Sequence, residues 1–344
     1  MIRHPLLLSV ISIDVISLLL VAAATVPALR ILAGRSPEPP TDGRIALGGK
    51  AGTASVQGRA GLALLALSTG LLIFGIAGVL PMIIPGAMCG EGVLQATNGA
   101  MGRALTLRGL ALSLLAVWHL LGRLNRDQPE SPLATAAARS LLLAAPVAVL
   151  AVYETFQAIL RLDVDRPVDC CTAVYGRVRP LSPSGGEPSM PDAFWIFGLT
   201  LGGIAIILAG IHLWRSYRPM GTSATGLFSV ATVLWVPVAV TALLRSFAAY
   251  HYRFPREPCS WCLFLPENKL VGYPLFGALI VVAVEACAAF ICSTVAAKSP
   301  ALEPTAMKRS RTAGLRVAFA ALLFLALVGI PAIVWRLQLG FWIK

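Results

Sequence analysis

Eight stretches of this chain are long and apolar enough to cross a lipid bilayer, which takes about 20 mostly apolar residues. They cover residues 6–33, 60–84, 105–121, 134–160, 193–214, 225–250, 270–297 and 315–341. Hydrocarbon offers no water to backbone N–H and C=O groups, so stretches of this length satisfy those groups internally and fold as helices. Composition agrees: of 344 residues, 57% are hydrophobic and 13% charged, with a mean hydropathy of +0.78. No single soluble core hides that much apolar surface. The expected fold is all-α, one integral polytopic membrane domain over residues 1–344 with about eight transmembrane helices. The net charge of +12 does not point to nucleic acid, because no polar domain exists to carry it and basic loops belong beside a bilayer. The first stretch invites comparison with a cleaved signal peptide. Asp14 within it and its length argue for a retained helix.

Lys and Arg collect in alternate loops. Arg35, Arg44, Lys50 and Arg59 follow the first stretch, Arg123 and Arg126 the third, Arg215 and Arg218 the fifth, and Lys298, Lys308, Arg309, Arg311 and Arg316 the seventh. These connections are the expected cytoplasmic set, which leaves both termini and the other loops outside. The Ala-, Leu- and Arg-rich composition fits a bacterial inner membrane. On this topology Cys89, Cys170, Cys171, Cys259 and Cys262 all fall in outer loops, where an oxidising compartment lets thiols pair and exchange. The seven cysteines are an odd number, so they cannot all pair within one chain. Each group of four stretches places a cysteine between its second and third members, which suggests a 4+4 tandem duplication. The halves would be 1–160 and 193–344, joined by an outer loop over 161–192. The connector 35–59 reads as flexible and weakly basic.

The candidate chemistry centres on Cys259 and Cys262 in PREPCSWCLFLPENK. Cys-x-x-Cys lets two thiols meet across one turn, Pro258 favours a helix start and Trp261 suits the membrane interface. Cys170 and Cys171 are adjacent, and a bridge between neighbours is strained and labile. Cys89 opens a Gly-rich loop, CGEGVLQATNGAMGR. A structural disulfide and a thiolate metal site are the competing readings, but the spacing matches no recognised zinc pattern and no metal is assigned. His119 and His212 allow the idea of a bis-histidine haem, though interfacial histidines are commonly surface residues. Cys287 and Cys292 read as buried apolar side chains within the seventh stretch.

PCSWCLF, followed at once by a membrane helix, resembles the DsbB-type quinone-linked thiol oxidases and, more distantly, the vitamin K epoxide reductases. The likeness covers residues 258–276. It implies a Cys-x-x-Cys that opens a helix of a four-helix bundle and passes electrons to a quinone, while an outer-loop cysteine pair serves a soluble thiol-disulfide or electron-transfer protein. Departures are present too: Pro266 stands where the DsbB pattern has an arginine, with Lys269 the nearest base, and the outer pair is adjacent and precedes the Cys-x-x-Cys. The expected function is a membrane thiol-disulfide oxidoreductase with Cys259, Cys262, Cys170, Cys171 and Cys89 as its relay. Charges within the spans, Asp14, Arg108, Glu154, Arg245 and Glu285, need partners or a cavity. Arg108, Glu154, Arg245 and Lys269 are the candidate quinone-site residues, set against the plainer reading that Arg108 with Glu154, or Arg245 with Asp14, forms a buried ion pair. The rival functions are a non-catalytic anchor of an electron-transfer complex, and a transporter that uses the buried charges.

Overall fold

The computed structural model describes residues 4–33, 43–126, 132–162, 168, 192–216, 221–252 and 259–342, with backbone only for 43–54 and 192. Among the described residues there is no strand, and eight helices are long and apolar enough to span a membrane. The protein is therefore an all-α, multi-pass membrane protein. The chain divides into two compact units, Met1–Val168 and Asp169–Lys344.

The first unit holds α1 (Pro5–Leu32), α2 (Gly43–Phe74), a short α3 (Gly90–Ala96), α4 (Ala100–Leu124) and α5 (Ala134–Leu160). At the start of α1, His4 Nδ1 accepts the Leu6 amide at 3.3 Å and Pro5 takes the first helical position, where its missing N–H costs nothing. The buried face of α1 is Leu7, Val10, Asp14, Ser17, Val21, Ala24 and Ala28, an alternation of threes and fours that makes one seam. Leu8, Ile16, Leu19 and Leu29 point away from it, as in a helix whose outer face meets lipid. Lipid tails are as apolar as leucine, so close packing has to hold these helices together. Gly61 serves that purpose: a Cβ there would meet Val21 at 2.9 Å and the Ser17 carbonyl at 3.1 Å, and the Ser17 hydroxyl donates to the Gly61 carbonyl at 2.8 Å. On α5 the buried seam is largely alanine, including Ala144, Ala148 and Ala151. The four long helices form a ring in which α1 touches α2 and α5, and α4 touches α2 and α5.

At the centre of this ring Arg108 is 0% and Asp14 1% exposed. The Arg108 Nη2 donates to Asp14 Oδ2. Its Nε donates to Thr155 Oγ1 at 3.0 Å, and its Nη1 to Ser68 Oγ at 3.2 Å and Thr69 Oγ1 at 3.3 Å. Ser68 passes its own proton to Asp14 Oδ1 at 2.6 Å. Thr69 and Thr155 donate onward to the Leu65 and Ala151 carbonyls at 2.7 and 2.8 Å. Every long helix of the unit supplies a member. This corrects the expected pairing: Asp14, not Glu154, answers Arg108, and Glu154 instead lies 3.6 Å from Arg103 with both side chains partly exposed. Thr155 is on the buried seam of α5, and Glu154 is turned away from it by about 100°.

The second unit holds α6 (Asp192–Arg215), α7 (Thr222–Ala242), a short α8 (Ala248–Tyr252), α9 (Gly272–Lys298) and α10 (Glu303–Leu339). Its ring is the same: α6 touches α7 and α10, and α9 touches α7 and α10. The α6–α10 contact closes on Gly210 and Gly314, where a Cβ on either residue would come within 2.7 Å of the other's carbonyl oxygen. Trp235 donates its indole N–H to the Leu199 carbonyl at 3.2 Å and stacks edge-on against Phe324 within the core. The buried charge here is Glu285, which receives Arg309 at 2.6 Å and Arg316 at 2.9 Å.

Two expected connectors turn out to be helix. The backbone is helical from Gly43, so most of the 35–59 connector extends α2, and α10 begins at Glu303, which puts Lys308, Arg309 and Arg311 on a helix. Cys287, expected to be buried, is exposed on α9, while Cys292 is buried.

Replacing one member of the Asp14–Arg108 pair strands a buried charge, whereas replacing both removes the need for either. Arg108→Met alone should lower unfolding stability in detergent by about 3–5 kcal/mol. Adding Asp14→Leu should recover most of that loss. The double-mutant cycle read by thermal unfolding checks both values.

Candidate functional site

In both units the second spanning helix ends in the same way. α2 runs into a π-turn, Gly75–Val79, and α7 into another, Leu243–Phe247. Single π-turns add one residue to the helical ladder and recur beside functional positions. Each is followed by the cysteine-bearing stretch and then by the third spanning helix.

In the first unit that stretch turns at Pro85 and Gly86. The Pro85 carbonyl accepts the Val168 amide at 3.0 Å. Gly86 has a φ of +78°, and a Cβ there would sit 2.2 Å from the Val168 carbonyl oxygen, so only glycine fits. Cys89 is buried. Its extended backbone caps α3 at Gly90–Ala96, which corrects the reading of CGEGVLQA as a glycine-rich loop. Cys170 and Cys171 lie outside the described residues, as do Pro258, Arg253 and Arg256.

In the second unit Cys259 has an extended backbone and caps a 3-10 turn, Ser260–Phe264. The Cys262 amide donates to the Cys259 carbonyl at 3.3 Å. That bond folds the two cysteines onto one turn, with their Sγ atoms within 4.8 Å of each other. The turn is braced from both sides. The Tyr252 hydroxyl at the end of α8 donates to the Cys259 carbonyl at 2.5 Å, and the Asn268 side-chain amide donates to the Cys262 carbonyl at 2.7 Å. A second 3-10 turn, Pro266–Asn268, follows. Lys269 and Leu270 then take left-handed conformations with φ of 58° and 55° before α9 starts at Gly272. The Cys-x-x-Cys thus precedes its helix by a separate pair of turns and does not open it directly. Pro266, which cannot extend a helix from its own N–H, is one physical reason for the break.

Burial sorts the two sulfurs: Cys259 is 8% exposed and Cys262 is partly exposed. Behind them is an aromatic group. Phe264 stacks on Phe276 at 5.3 Å, meets Tyr273 edge-on at 5.0 Å, and lies 5.8 Å from Trp261. The Tyr273 hydroxyl is buried with no hydrogen-bond partner among the described residues, which leaves a donor at an aromatic wall.

Of the candidate quinone-site residues, Arg108 and Glu154 belong to the first unit, and the Arg108 donors are directed at Asp14, Ser68, Thr69 and Thr155. Arg245 is exposed within the π-turn after α7, and Lys269 is exposed next to the Cys259–Cys262 turn. Sequence reasoning did not single out Tyr252, Asn268 or Tyr273. Their signal was position, since each stands within eleven residues of a cysteine of the motif. His119 is on α4 and His212 on α6. No family model, curated protein or solved structure matches this chain.

Gly272 lets α9 start directly beneath the turn, because a Cβ there would meet Phe264 at 2.9 Å and the Leu263 carbonyl carbon at 3.0 Å. Gly272→Ala should therefore cost about 1–3 kcal/mol through overpacking and loosen the seat of the turn. The expected readout is a lower unfolding temperature together with faster maleimide labelling of Cys262; labelling at the wild-type rate would contradict this role.

Proposed function

We propose that this protein is a membrane thiol-disulfide oxidoreductase whose working pair is Cys259 and Cys262. The observation that carries the reading is the placement of both sulfurs within 4.8 Å on one braced turn at the end of the second unit. A disulfide needs an S–S length of about 2.05 Å and a Cβ–Cβ distance near 3.8 Å. Closing from within 4.8 Å to that length is the movement that this reading requires of the turn.

In its oxidising half-reaction, a thiolate of a partner dithiol attacks Cys262, the more exposed sulfur, and the Cys259 thiolate leaves. The partner's second thiolate then attacks its own mixed disulfide and releases Cys262. The partner has lost two electrons and two protons, and the Cys259–Cys262 pair has gained them. A membrane quinone, if bound, would supply the sink, with capacity for the two electrons and two protons that the Cys259–Cys262 pair gives up when it closes again. The chain's share is to hold the two thiols together, keep Cys259 from water, and offer the Tyr273 hydroxyl and the Phe264–Phe276 wall to the quinone ring. The thiolate in each step is the reactive form, so reaction at pH 7 depends on access to deprotonated sulfur.

Charge asymmetry supports a location in a bacterial inner membrane with the cysteines outside. The end of the second unit opposite the Cys259–Cys262 turn carries Arg215, Lys298, Lys308, Arg309 and Arg311, as cytoplasmic ends do. The shared ring of four helices, the paired π-turns and the cysteine after each support reading the two units as a tandem duplication.

Serine replacements test the reading. Cys259→Ser and Cys262→Ser should each abolish disulfide transfer to a dithiol peptide while leaving membrane abundance unchanged. Given the partner peptide in its disulfide form, Cys259→Ser should hold it as a mixed disulfide, because the Cys262 thiolate attacks one partner sulfur, the other leaves as a thiolate, and no second thiol of the turn resolves the bond. Unchanged transfer per inserted molecule, with only abundance reduced, would instead mark the pair as structural.

A further inference from the structure

Pro331 stands inside α10 and has no backbone N–H to give, so the carbonyl of Leu327, four residues earlier, loses its usual partner in the helical ladder. Within a membrane-spanning helix such a freed carbonyl is answered by a neighbouring element. The element that approaches it here is α8. Its His251 imidazole hydrogen-bonds the Leu327 backbone. The Nε2 atom of that ring is covered and has no partner among the described residues, which assigns the bond to Nδ1.

A second contact sets α8 on the same face of α10. Leu327, Pro331 and Trp335 follow one another at intervals of four residues and so share that face. Tyr250, itself buried, meets the Trp335 ring edge-on at 6.3 Å. α8 also touches the Ser260–Phe264 turn, and its Tyr252 hydroxyl donates to the Cys259 carbonyl at 2.5 Å. Asn268, the other brace, belongs to the loop of the turn itself, whereas Tyr252 comes from a separate helix. The residue bound to α10 and the residue bound to the thiol turn are therefore neighbours in sequence, on a helix of five residues.

We propose that His251 is a positioning residue for the Cys259–Cys262 turn: it docks α8 on the carbonyl that Pro331 frees, and so holds Tyr252 where its hydroxyl meets Cys259. A side chain that merely filled space beside α10 would be replaced as well by another ring. A docking bond needs an N–H at the place of Nδ1, which asparagine supplies and phenylalanine does not. The consequence for disulfide transfer rests on the redox reading of the pair, and the docking does not.

The test uses the purified, reduced full-length protein in detergent micelles, with maleimide labelling of Cys259 followed by peptide mass mapping and the unfolding temperature measured alongside. His251→Phe should label Cys259 about fivefold faster than wild type, the effect of losing one buried hydrogen bond, and His251→Asn should label at the wild-type rate. Because His251 acts through Tyr252, His251→Phe combined with Tyr252→Phe should label no faster than Tyr252→Phe alone. Pro331→Ala returns an N–H to the Leu327 carbonyl, so His251→Phe should lower the unfolding temperature less in that background than in wild type. The proposal falls if His251→Asn labels like His251→Phe, if His251→Phe and Tyr252→Phe multiply each other's acceleration, or if Pro331→Ala leaves the cost of His251→Phe unchanged. Should His251→Phe fail to fold, His251→Leu takes its place in every comparison. Neither readout involves disulfide transfer, so failure here and failure of the redox reading are separate results.

Discussion

A guanidinium with no exposed surface inside a lipid-facing bundle has to be answered at every N–H, because neither water nor hydrocarbon will do it. Arg108 finds four acceptors for its five N–H groups: a carboxylate from α1, two hydroxyls from α2 and one from α5. The proton donors and acceptors are ordered, since each hydroxyl that accepts from Arg108 donates elsewhere, Ser68 to Asp14 and the two threonines to carbonyls of their own helices. Such a closed network adds only modestly to net stability, as intramembrane hydrogen bonds average about 0.6 kcal/mol. Its larger effect is on specificity. Sliding α4 by one turn would remove Arg108 from all four partners at once, so the pair fixes the register of the whole unit.

The second unit solves the same problem differently. Close approach of Gly210 and Gly314 sets α6 against α10 without a buried ion pair between them. The buried carboxylate, Glu285, is held by two arginines of one neighbouring helix, α10, spaced seven residues apart so that both face α9. One unit therefore has a neutral, closed centre and the other a net positive one near its basic end. A neutral network can lie fully buried, whereas a surplus charge favours a position where an anion can reach it.

The spans were legible because about 20 apolar residues in a row have one physical explanation in water or in lipid. Their ends were not. Helix continues from α2 back to Gly43 and from α10 back to Glu303, but apolarity marks only the part within hydrocarbon, and the polar turns beyond it look like connectors. The same blind spot hid the partners of Glu285, because Arg309 and Arg316 were counted with a loop. The Asp14–Arg108 pair was missed for another reason: depth along the helix was weighed and angle around it was not. Asp14 lies on the Leu7, Val10, Ser17, Val21 seam and Arg108 on the Met101, Ala104, Ala111, Leu115 seam, so the heptad phase already aimed both inward. The thiol turn was legible as a motif, while its bracing by Tyr252 and Asn268 required the fold.

The two units also explain why the chemistry is assigned to one turn. Cys89 and Cys259 each cap a short helical turn from an extended backbone. In each, the amide three residues on returns to the cysteine carbonyl, Gly92 to Cys89 at 3.0 Å and Cys262 to Cys259 at 3.3 Å. The local architecture is the same and the fourth residue differs. In C-S-W-C that residue is a second sulfur, which is what the proposed dithiol chemistry requires of the turn. In C-G-E-G it is a glycine, and no disulfide can close within the turn. Backbone geometry is thus common to the two turns, and the side chain at the fourth position sets them apart: a second sulfur at Cys262 and a glycine at Gly92.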